Sequence, residues 1–180
     1  WTPIGQSSAF SGTFEGNGKT ISGLKINSSG TYAGLFGQVS GTIKNLTVTG
    51  SVTLNATSSS ATSVYAGILA GNVSGWFATI DSCSTSGEVS ATLNCTASWG
   101  FGSANVYAGG VVGNNSSMIG SEILSHKSGT VTATYSGSNV SGNAFAGGIA
   151  GKATGSLVDC YNKADVNSST SKGSSYAGGL

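Results

Sequence analysis

Residues 107–113 read Tyr-Ala-Gly-Gly-Val-Val-Gly, and four variants of this phrase occur elsewhere in the chain. The other copies begin at Tyr32, Tyr65, Phe145 and Tyr176, so successive copies start 33, 42, 38 and 31 residues apart. Self-similarity at such a period is typical of solenoid proteins, in which each unit buries its apolar face against its neighbours. We therefore divide the chain into a variant N-terminal coil at residues 1–31 and a repeat region at residues 32–180.

The composition favours strands and argues against two kinds of partner. Val, Ile, Thr and Tyr alternate with polar residues, and the periodicity of an amphipathic helix is missing. Charged residues make up 7% of the chain, none of them arginine, and the net charge is +1, so we expect no nucleic-acid binding. No apolar stretch approaches the roughly 20 residues that span a bilayer, so we expect no membrane insertion. No signal peptide is visible, and Trp1 is expected to begin a mature chain or a fragment.

Each repeat contains three strand-like pieces. The Tyr-Ala-Gly phrase comes first, an apolar run such as 42–46 follows, and a valine-centred run such as 50–54 comes third. Three pieces per repeat predict an all-β fold, a right-handed parallel β-helix with three strands per coil and coils about 4.8 Å apart. Glycines would turn the corners, and the pair Gly109-Gly110 would leave room inside for Val111. Which residues of the phrase point inward stays open.

The dipeptide Asn17-Gly18 lies between two alternating segments of the N-terminal coil. Flanked in this way, Asn-Gly normally predicts a two-residue β-hairpin turn. In a solenoid the same dipeptide can form a corner, because both uses need a positive φ angle. The repeat context favours the corner.

Several segments resemble the GLUG repeat, which is named for its Gly-Leu-hydrophobic-Gly core. They are Gly-Leu-Phe-Gly at 34–37, Gly-Ile-Ala-Gly at 148–151 and Asp-Cys-Tyr-Asn-Lys-Ala-Asp-Val at 159–166. Residues 1–5 together with 10–21 are similar to the segment that often precedes such repeats. The resemblance covers nearly the whole chain. It implies a β-solenoid from a large extracellular or surface protein, of the kind found in adhesin-like chains and in non-catalytic regions of a class of immunoglobulin A proteases. The long Ser- and Asn-rich insertions depart from the compact pattern.

The variation in repeat length comes from one place in each unit. Residues 55–63, 93–105, 135–143 and 167–175 separate the valine-centred run from the next Tyr-Ala-Gly phrase. Equivalent insertion points predict loops on one edge of the stack, which is a common binding face in repeat proteins. The longest loop holds Trp99 and Phe101, which either fold back over the end of a sheet or form a binding site for a glycan or another partner.

Asparagine usage suggests a cellular compartment. The pattern Asn-x-Ser/Thr, where an N-glycan can be attached, includes nine of the 13 asparagines. This excess favours covalent N-glycans and a eukaryotic secretory origin, and an accident of a Ser/Thr-rich sequence is the alternative. The nine candidates are Asn27, Asn45, Asn55, Asn72, Asn94, Asn114, Asn115, Asn139 and Asn167.

The three cysteines give no disulfide framework. Cys83 and Cys160 hold the same repeat position two coils apart, where the third copy carries Ser125. Two coils of about 4.8 Å place them beyond the roughly 7 Å that a disulfide allows between Cα atoms. We expect both to be buried thiols in an inward ladder. Cys95 is left free or pairs outside the segment.

Candidate catalytic groups are sparse. His126 is the only histidine, so a site needing several imidazoles cannot form within the chain, and no Gly-x-Ser-x-Gly elbow is present. Asp81 and Asp159 align two coils apart, at the upper edge of the separation used by inverting glycosidases. We predict no catalytic, cofactor or metal site. A polysaccharide-active β-helix enzyme is the least favoured alternative.

The sequence is best interpreted as a non-enzymatic structural repeat protein outside the cell or on its surface, such as a segment of an adhesin, stalk or filament. The last copy of the phrase stops at Leu180 and leaves a strand edge, so further repeats or identical subunits are expected to stack end to end. A glycan- or partner-binding module using the loop edge around Trp99 is the competing hypothesis.

Overall fold

The computed structural model describes residues 1–99, 102–117 and 121–180, with only the backbone at 121–123. The described part is all-β and contains no helix. The first eight strands are β1 (Thr13–Ser28), β2 (Tyr32–Ala33), β3 (Phe36–Val39), β4 (Thr42–Ser58), β5 (Ser63–Gly67), β6 (Ala70–Gly75), β7 (Thr79–Cys95) and β8 (Ala104–Gly109). The remaining strands are β9 (Val112–Ser117), β10 (Ser121–Gly137), β11 (Gly142–Gly147), β12 (Ala150–Ala153), β13 (Leu157–Val158), β14 (Tyr161–Asn162), β15 (Asp165–Thr170) and β16 (Ser175–Gly178).

The strands form three sheets, and every strand pairing is parallel. The seven-stranded sheet has the order β1-β4-β7-β10, with β13, β14 and β15 all pairing with β10. The five-stranded sheet has the order β16-β11-β8-β5-β2, and the four-stranded sheet β12-β9-β6-β3. Each strand thus pairs with its counterpart in the next repeat. The stacking is compatible with a β-solenoid.

The boundaries of the strands within each repeat differ from those predicted from the sequence. The Tyr-Ala-Gly phrase is two strands in different sheets, as in β8 and β9, because the chain turns sharply between them. The two following pieces are one long bent strand, as in β7. The bend uses single residues with a positive φ angle, 55° at Asn45 and 51° at Ser82, and the pairing of β4 with β7 resumes beyond them in the same register. Asparagine tolerates this conformation better than most residues.

A valine column forms the centre of the large sheet's inner face. Ile26, Val52, Val89, Val131 and Val166 pair successively, and all but Val166 are buried. Burying one such side chain contributes about 1.5–3 kcal/mol. Parallel in-register pairing therefore builds one continuous core along the stack.

The structure shows which residue of the Tyr-Ala-Gly phrase points inward, a question that the sequence did not answer. Ala66 and Ala108 are fully buried, whereas the preceding Tyr65 is half-buried. Since successive side chains of a strand point to opposite faces, the alanines face the core and the aromatic residues face outward.

A glycine column marks the second bend of the long strands. Gly50, Gly87 and Gly129 pair with one another, and Gly87 and Gly129 have φ angles of 124° and 121°. A Cβ atom at Gly87 would overlap the carbonyl oxygen of Gly50. Only glycine fits this bend without moving the neighbouring coil.

Asn17 and Gly18 form a bend rather than a hairpin. Both have positive φ angles, of 51° and 68°, and lie inside β1, which pairs in parallel with β4. The register shifts between Glu15 and Lys19, as at a β-bulge.

The insertion loops are shorter than the sequence indicated. The residues between the strands are 59–62, 96–103, 138–141 and 171–174, because the preceding strands continue further than expected. Tyr135, which was assigned to a loop, is a buried core residue of β10, and its hydroxyl donates to the carbonyl of Val140 at 2.6 Å.

The cysteines differ in burial, and none is in a disulfide. Cys83 is buried as expected, but Cys160 is only half-buried, so the expected buried ladder is wrong at Cys160. Leu124, not Ser125, lies opposite Cys83, whereas Ser125 pairs with Ser84. Burial raises the pKa of the Cys83 thiol to about 11, so Cys83 behaves as a small apolar residue.

Candidate functional site

The loop edge carries an open groove of about 730 Å³. The ends of β7 and β10 and the loop after β15 form it, so three successive coils contribute. Most of its lining groups are hydroxyls, amides and backbone. The lining residues are Asn94, Cys95, Thr96, Ser136, Gly137, Ser138, Ser171 and Lys172.

Among the described lining residues, the one cation already holds a loop. Lys172 Nζ donates to the backbone oxygens of Ser138 and Asn139 at 3.3 and 3.2 Å. Ser171 Oγ donates to the carbonyl of Gly137 at 2.8 Å and accepts from its N–H at 2.9 Å. These bonds link the last loop to the one below. The groove can offer hydrogen bonds to a polar ligand, but these lining groups provide no acid–base pair.

A second open groove of about 290 Å³ lies at the same end of the long strands in the first coils. Its lining residues are Asn27, Ser28, Ser29, Thr53 and Asn55. Asn27 and Thr53 are paired between β1 and β4. The polar edge therefore continues along the stack, and three of the candidate glycosylation residues line its two grooves.

Trp99 is 82% exposed, so it does not fold back over a sheet as one interpretation had it. Phe101, the other aromatic residue predicted for this loop, lies outside the described residues. Two aromatic residues that were not predicted to be functional, Trp76 and Phe77, are 71% and 78% exposed at the turn between β6 and β7. The signal was present, since Trp-Phe follows a glycine between two strand-like runs.

The candidate glycosylation residues differ in accessibility. Five are exposed, namely Asn27, Asn55, Asn94, Asn139 and Asn167, whereas Asn45 and Asn72 are half-buried and Asn114 and Asn115 are buried. Asn115 is 1% exposed, and its Oδ1 accepts from Ser117 Oγ at 2.8 Å. Asn114 Nδ2 donates to Asn72 Oδ1 at 2.7 Å. The folded chain therefore offers space for a glycan chiefly at the five exposed residues.

His126 is fully buried inside the stack. Its Nδ1 lies 2.8 Å from Thr85 Oγ1, which donates to the carbonyl of Gly110 at 2.9 Å. Because the Thr85 proton is used in that bond, Nδ1 carries the imidazole proton and donates to Thr85. Nε2 has no hydrogen-bond partner among the described residues. Burial lowers the pKa of His126 to about 4, so the ring is neutral at neutral pH.

Gly110 makes room for this imidazole. A Cβ atom at Gly110 would overlap the ring of His126, and one at Gly148 would overlap the amide of Asn162. The second glycine of the pair therefore leaves space for a polar residue of the long strand, not for Val111 as the sequence suggested.

The carboxylates are distributed over several strands and bends. Asp81 pairs in register with Lys44 on one side and Glu122 on the other, and Asp159 lies at a bend with a φ angle of 49°. No group of three or more His, Cys, Asp or Glu suited to a metal ion occurs among the described residues.

A search of the described residues finds no helix of the length and apolarity needed to cross a membrane. Compared with protein-family models, with curated proteins and with solved structures, the chain matches none of them.

Proposed function

We propose that this chain is a non-enzymatic structural repeat segment of an extracellular or cell-surface protein, such as an adhesin, stalk or filament. Its strands would form a right-handed parallel β-helix with three strands per coil, built from GLUG-like repeats. The observation that carries the proposal is the continuity of the side-chain columns. Ile26, Val52, Val89 and Val131 fill the interior of successive coils, and an aromatic column follows the outer face of the five-stranded sheet. Such columns favour a stiff, elongated element.

The two edges of the stack differ. At the β1 edge the register is interrupted by bulges, and Glu15, Lys19 and Lys25 are exposed. Bulges and charges at an edge strand discourage pairing with another chain. At the opposite edge, β16 is regular, and Tyr176 and Leu180 are exposed. This asymmetry supports pairing at the β16 edge, either with further repeats or with the same edge of an identical subunit.

Sedimentation velocity over a range of concentrations tests the subunit arrangement. Pairing between identical subunits predicts species that grow with concentration and disappear when a proline in β16, at Ala177, blocks strand pairing. A single monomeric species at all concentrations would argue against identical subunits and for further repeats in one polypeptide.

We further propose that N-glycans cover the loop edge. The five exposed candidates support this, because Asn27, Asn55 and Asn94 line the two grooves and Asn139 lies in a neighbouring loop. The test is the intact mass of the natively isolated protein before and after N-glycosidase, followed by mapping of the modified residues. We expect a mass shift, with sugars on the exposed residues and none on Asn115. An unchanged mass would refute the glycoprotein proposal.

A second candidate function is binding of a glycan or a surface partner at the loop edge. The exposure of Trp99 a few residues after the groove residues Asn94 and Thr96 favours it, because an exposed indole offers a partner an apolar face and a polar N–H group. Binding of the folded protein to a glycan array, lost in Trp99→Ala and kept in Trp76→Ala, would support this function. Equal binding by both variants would exclude Trp99 as the contact.

A further inference from the structure

Five aromatic rings form a continuous stack along the five-stranded sheet. The ring centroids of Tyr32 and Tyr65 are 5.6 Å apart, and those of Tyr65 and Tyr107 are 5.1 Å apart. The stack continues through Phe145 to Tyr176 in two further steps of 5.0 Å. The angles between neighbouring ring planes are 16°, 9°, 10° and 6° in this order.

The stack follows from the strand register. Tyr32 pairs with Tyr65, Tyr65 with Tyr107, and Tyr107 with Phe145, so each ring lies over its equivalent in the next coil. The first three rings are phenols in immediate succession. Phe145 then interrupts the series and leaves Tyr176 without a phenol neighbour in the stack.

The three successive phenols are partly shielded from water. Tyr32 and Tyr65 are half-buried, and Tyr107 is 8% exposed. Burial raises the pKa of Tyr32 and of Tyr107, and the neighbouring Tyr65 raises both further. In the described part of the chain no residue hydrogen bonds to these three hydroxyl groups, in contrast to the hydroxyl of Tyr135, which is held by Val140. Their hydroxyl groups therefore have no fixed hydrogen-bond partner among the described residues.

We propose that Tyr32, Tyr65 and Tyr107 form an oxidative cross-linking site, at which a peroxide-dependent one-electron oxidant joins neighbouring phenols as dityrosine. Each of two phenols loses one electron and one proton and becomes a phenoxyl radical. The radicals couple through ring carbons ortho to oxygen, and the two ortho hydrogens then move to the oxygens to restore the phenols. One hydrogen peroxide takes up the two electrons and two protons and becomes two waters, so the protein loses two hydrogen atoms for each bond formed.

Radical coupling needs two activated rings in contact, and the fold stacks such rings on one another. A radical on Tyr65 has a phenol neighbour on each side at 5.6 and 5.1 Å. Tyr32 belongs to β2, the edge strand of its sheet, so its ring has a stacked neighbour, Tyr65, on one side only. The resulting bond would join β2 to β5 or β5 to β8 and lock adjacent coils covalently.

The geometry gives this reaction an unusual selectivity. Tyr161 and Tyr176 are the most exposed tyrosines and would react first if access alone governed coupling, giving products between molecules. Coupling within the stack instead joins more buried rings inside one molecule. The site of the bond therefore distinguishes the proposal from unselective oxidation.

The test treats dilute folded protein with hydrogen peroxide and a haem peroxidase, in a Cys160→Ser background so that the accessible thiol does not reduce the radicals. Products are followed by dityrosine fluorescence and mapped after cleavage at lysine. Because cleavage follows Lys25, Lys44 and Lys127, Tyr32 lies in the peptide 26–44 and both other phenols lie in 45–127. We expect 45–127 to carry an internal cross-link, or to be joined to 26–44, in protein that remains monomeric.

Two variants make the test decisive. Tyr65→Phe separates the remaining two phenols by a phenyl ring, as Phe145 does naturally, and should reduce monomeric dityrosine to the background level. Phe145→Tyr extends the phenol series to Tyr176 and should create new cross-links from the peptide 128–152. Cross-links found only between molecules or at Tyr161, or an unchanged yield in Tyr65→Phe, would overturn the proposal.

Discussion

Acid should destabilise the fold through His126, the one histidine of the chain. The imidazole is fully buried, its Nδ1–H donates to Thr85, and its Nε2 has no partner among the described residues. Protonation would create a buried positive charge. In the described surroundings of the ring, no carboxylate compensates this charge. Burial accordingly lowers the pKa of His126 from 6.5 to about 4.

The size of the effect follows from the difference between the two pKa values. The unfolded chain binds a proton below about pH 6.5, whereas the folded chain does so only below about pH 4. The contribution to the free energy of unfolding is therefore fully present above pH 6.5 and is lost as the pH falls toward 4. Each pKa unit corresponds to about 1.4 kcal/mol, which gives a total loss of about 3 kcal/mol. This is a large share of the roughly 5–15 kcal/mol that stabilises a typical domain.

The assay is urea unfolding at about pH 7 and about pH 4.5, compared between the wild-type protein and His126→Asn. Asparagine is the matched replacement because Asn162 takes the equivalent place opposite His126 in the next coil. On acidification, the free energy of unfolding should fall by at least about 2 kcal/mol more in the wild-type protein than in the variant. Glu15, whose pKa is lowered by hydrogen bonds from Asn17 and Asn45, titrates in both proteins and cancels in the comparison.

Two results would refute this reasoning. One is a loss of stability on acidification that is equal in the wild-type protein and His126→Asn. The other comes from NMR, in which the single histidine gives one assigned imidazole signal. A titration midpoint near 6.5 in the folded protein would show that the ring is not desolvated.

Three further outcomes are expected. Ile149→Asp should lower the free energy of unfolding by more than about 3 kcal/mol, since it buries an unpaired charge at a fully buried position, and unchanged melting would show the core to be wrongly assigned. Gly87→Ala should destabilise far more than Gly18→Ala, because a Cβ atom at Gly87 overlaps the adjacent coil and one at Gly18 meets nothing within 4 Å; similar denaturation midpoints would contradict the tight bend. A thiol reagent should label Cys160 in the native protein and the two buried cysteines only after unfolding, and rapid native labelling of Cys83 would contradict its burial.

The repeat period predicts the parallel stacking well but not the division into strands. Repeated apolar positions specify that equivalent residues pair from coil to coil, as the column from Ile26 to Val131 does. They do not say how sharply the chain bends between two runs. Beyond the bend at Asn45 the pairing resumes in the same sheet and register, whereas after Gly109 the chain enters another sheet. Both sites contain residues suited to bends, so composition alone cannot separate them.

The candidate site can be predicted only in part from the sequence. The insertion points identify the loop edge, and Trp99 stands out in a polar loop. Tyr135 was assigned to the same edge but is buried, with a pKa raised to about 12 by burial and by Cys95. Its hydroxyl needs the Val140 carbonyl, which lies across the following turn. Burial of a tyrosine depends on such a distant acceptor, which no local pattern reveals.

One position of the Tyr-Ala-Gly phrase and one position of the long strand change together from repeat to repeat. This coupling explains why the double glycine occurs in some repeats only. In the first four repeats, the residue after the first glycine of the phrase is Leu35, Ile68, Gly110 or Gly148. The corresponding column of the long strands is Val48, Thr85, His126 and Asn162. Where the column residue is a bulky polar group, the corner residue is glycine, and a Cβ atom there would overlap that group. Where the column residue is Val or Thr, the corner carries a large aliphatic side chain that is buried. In each of these repeats, a large side chain at one position is thus matched by a smaller one at the other, so the interior stays filled. A bulky polar side chain such as that of His126 fits in the core only opposite a glycine.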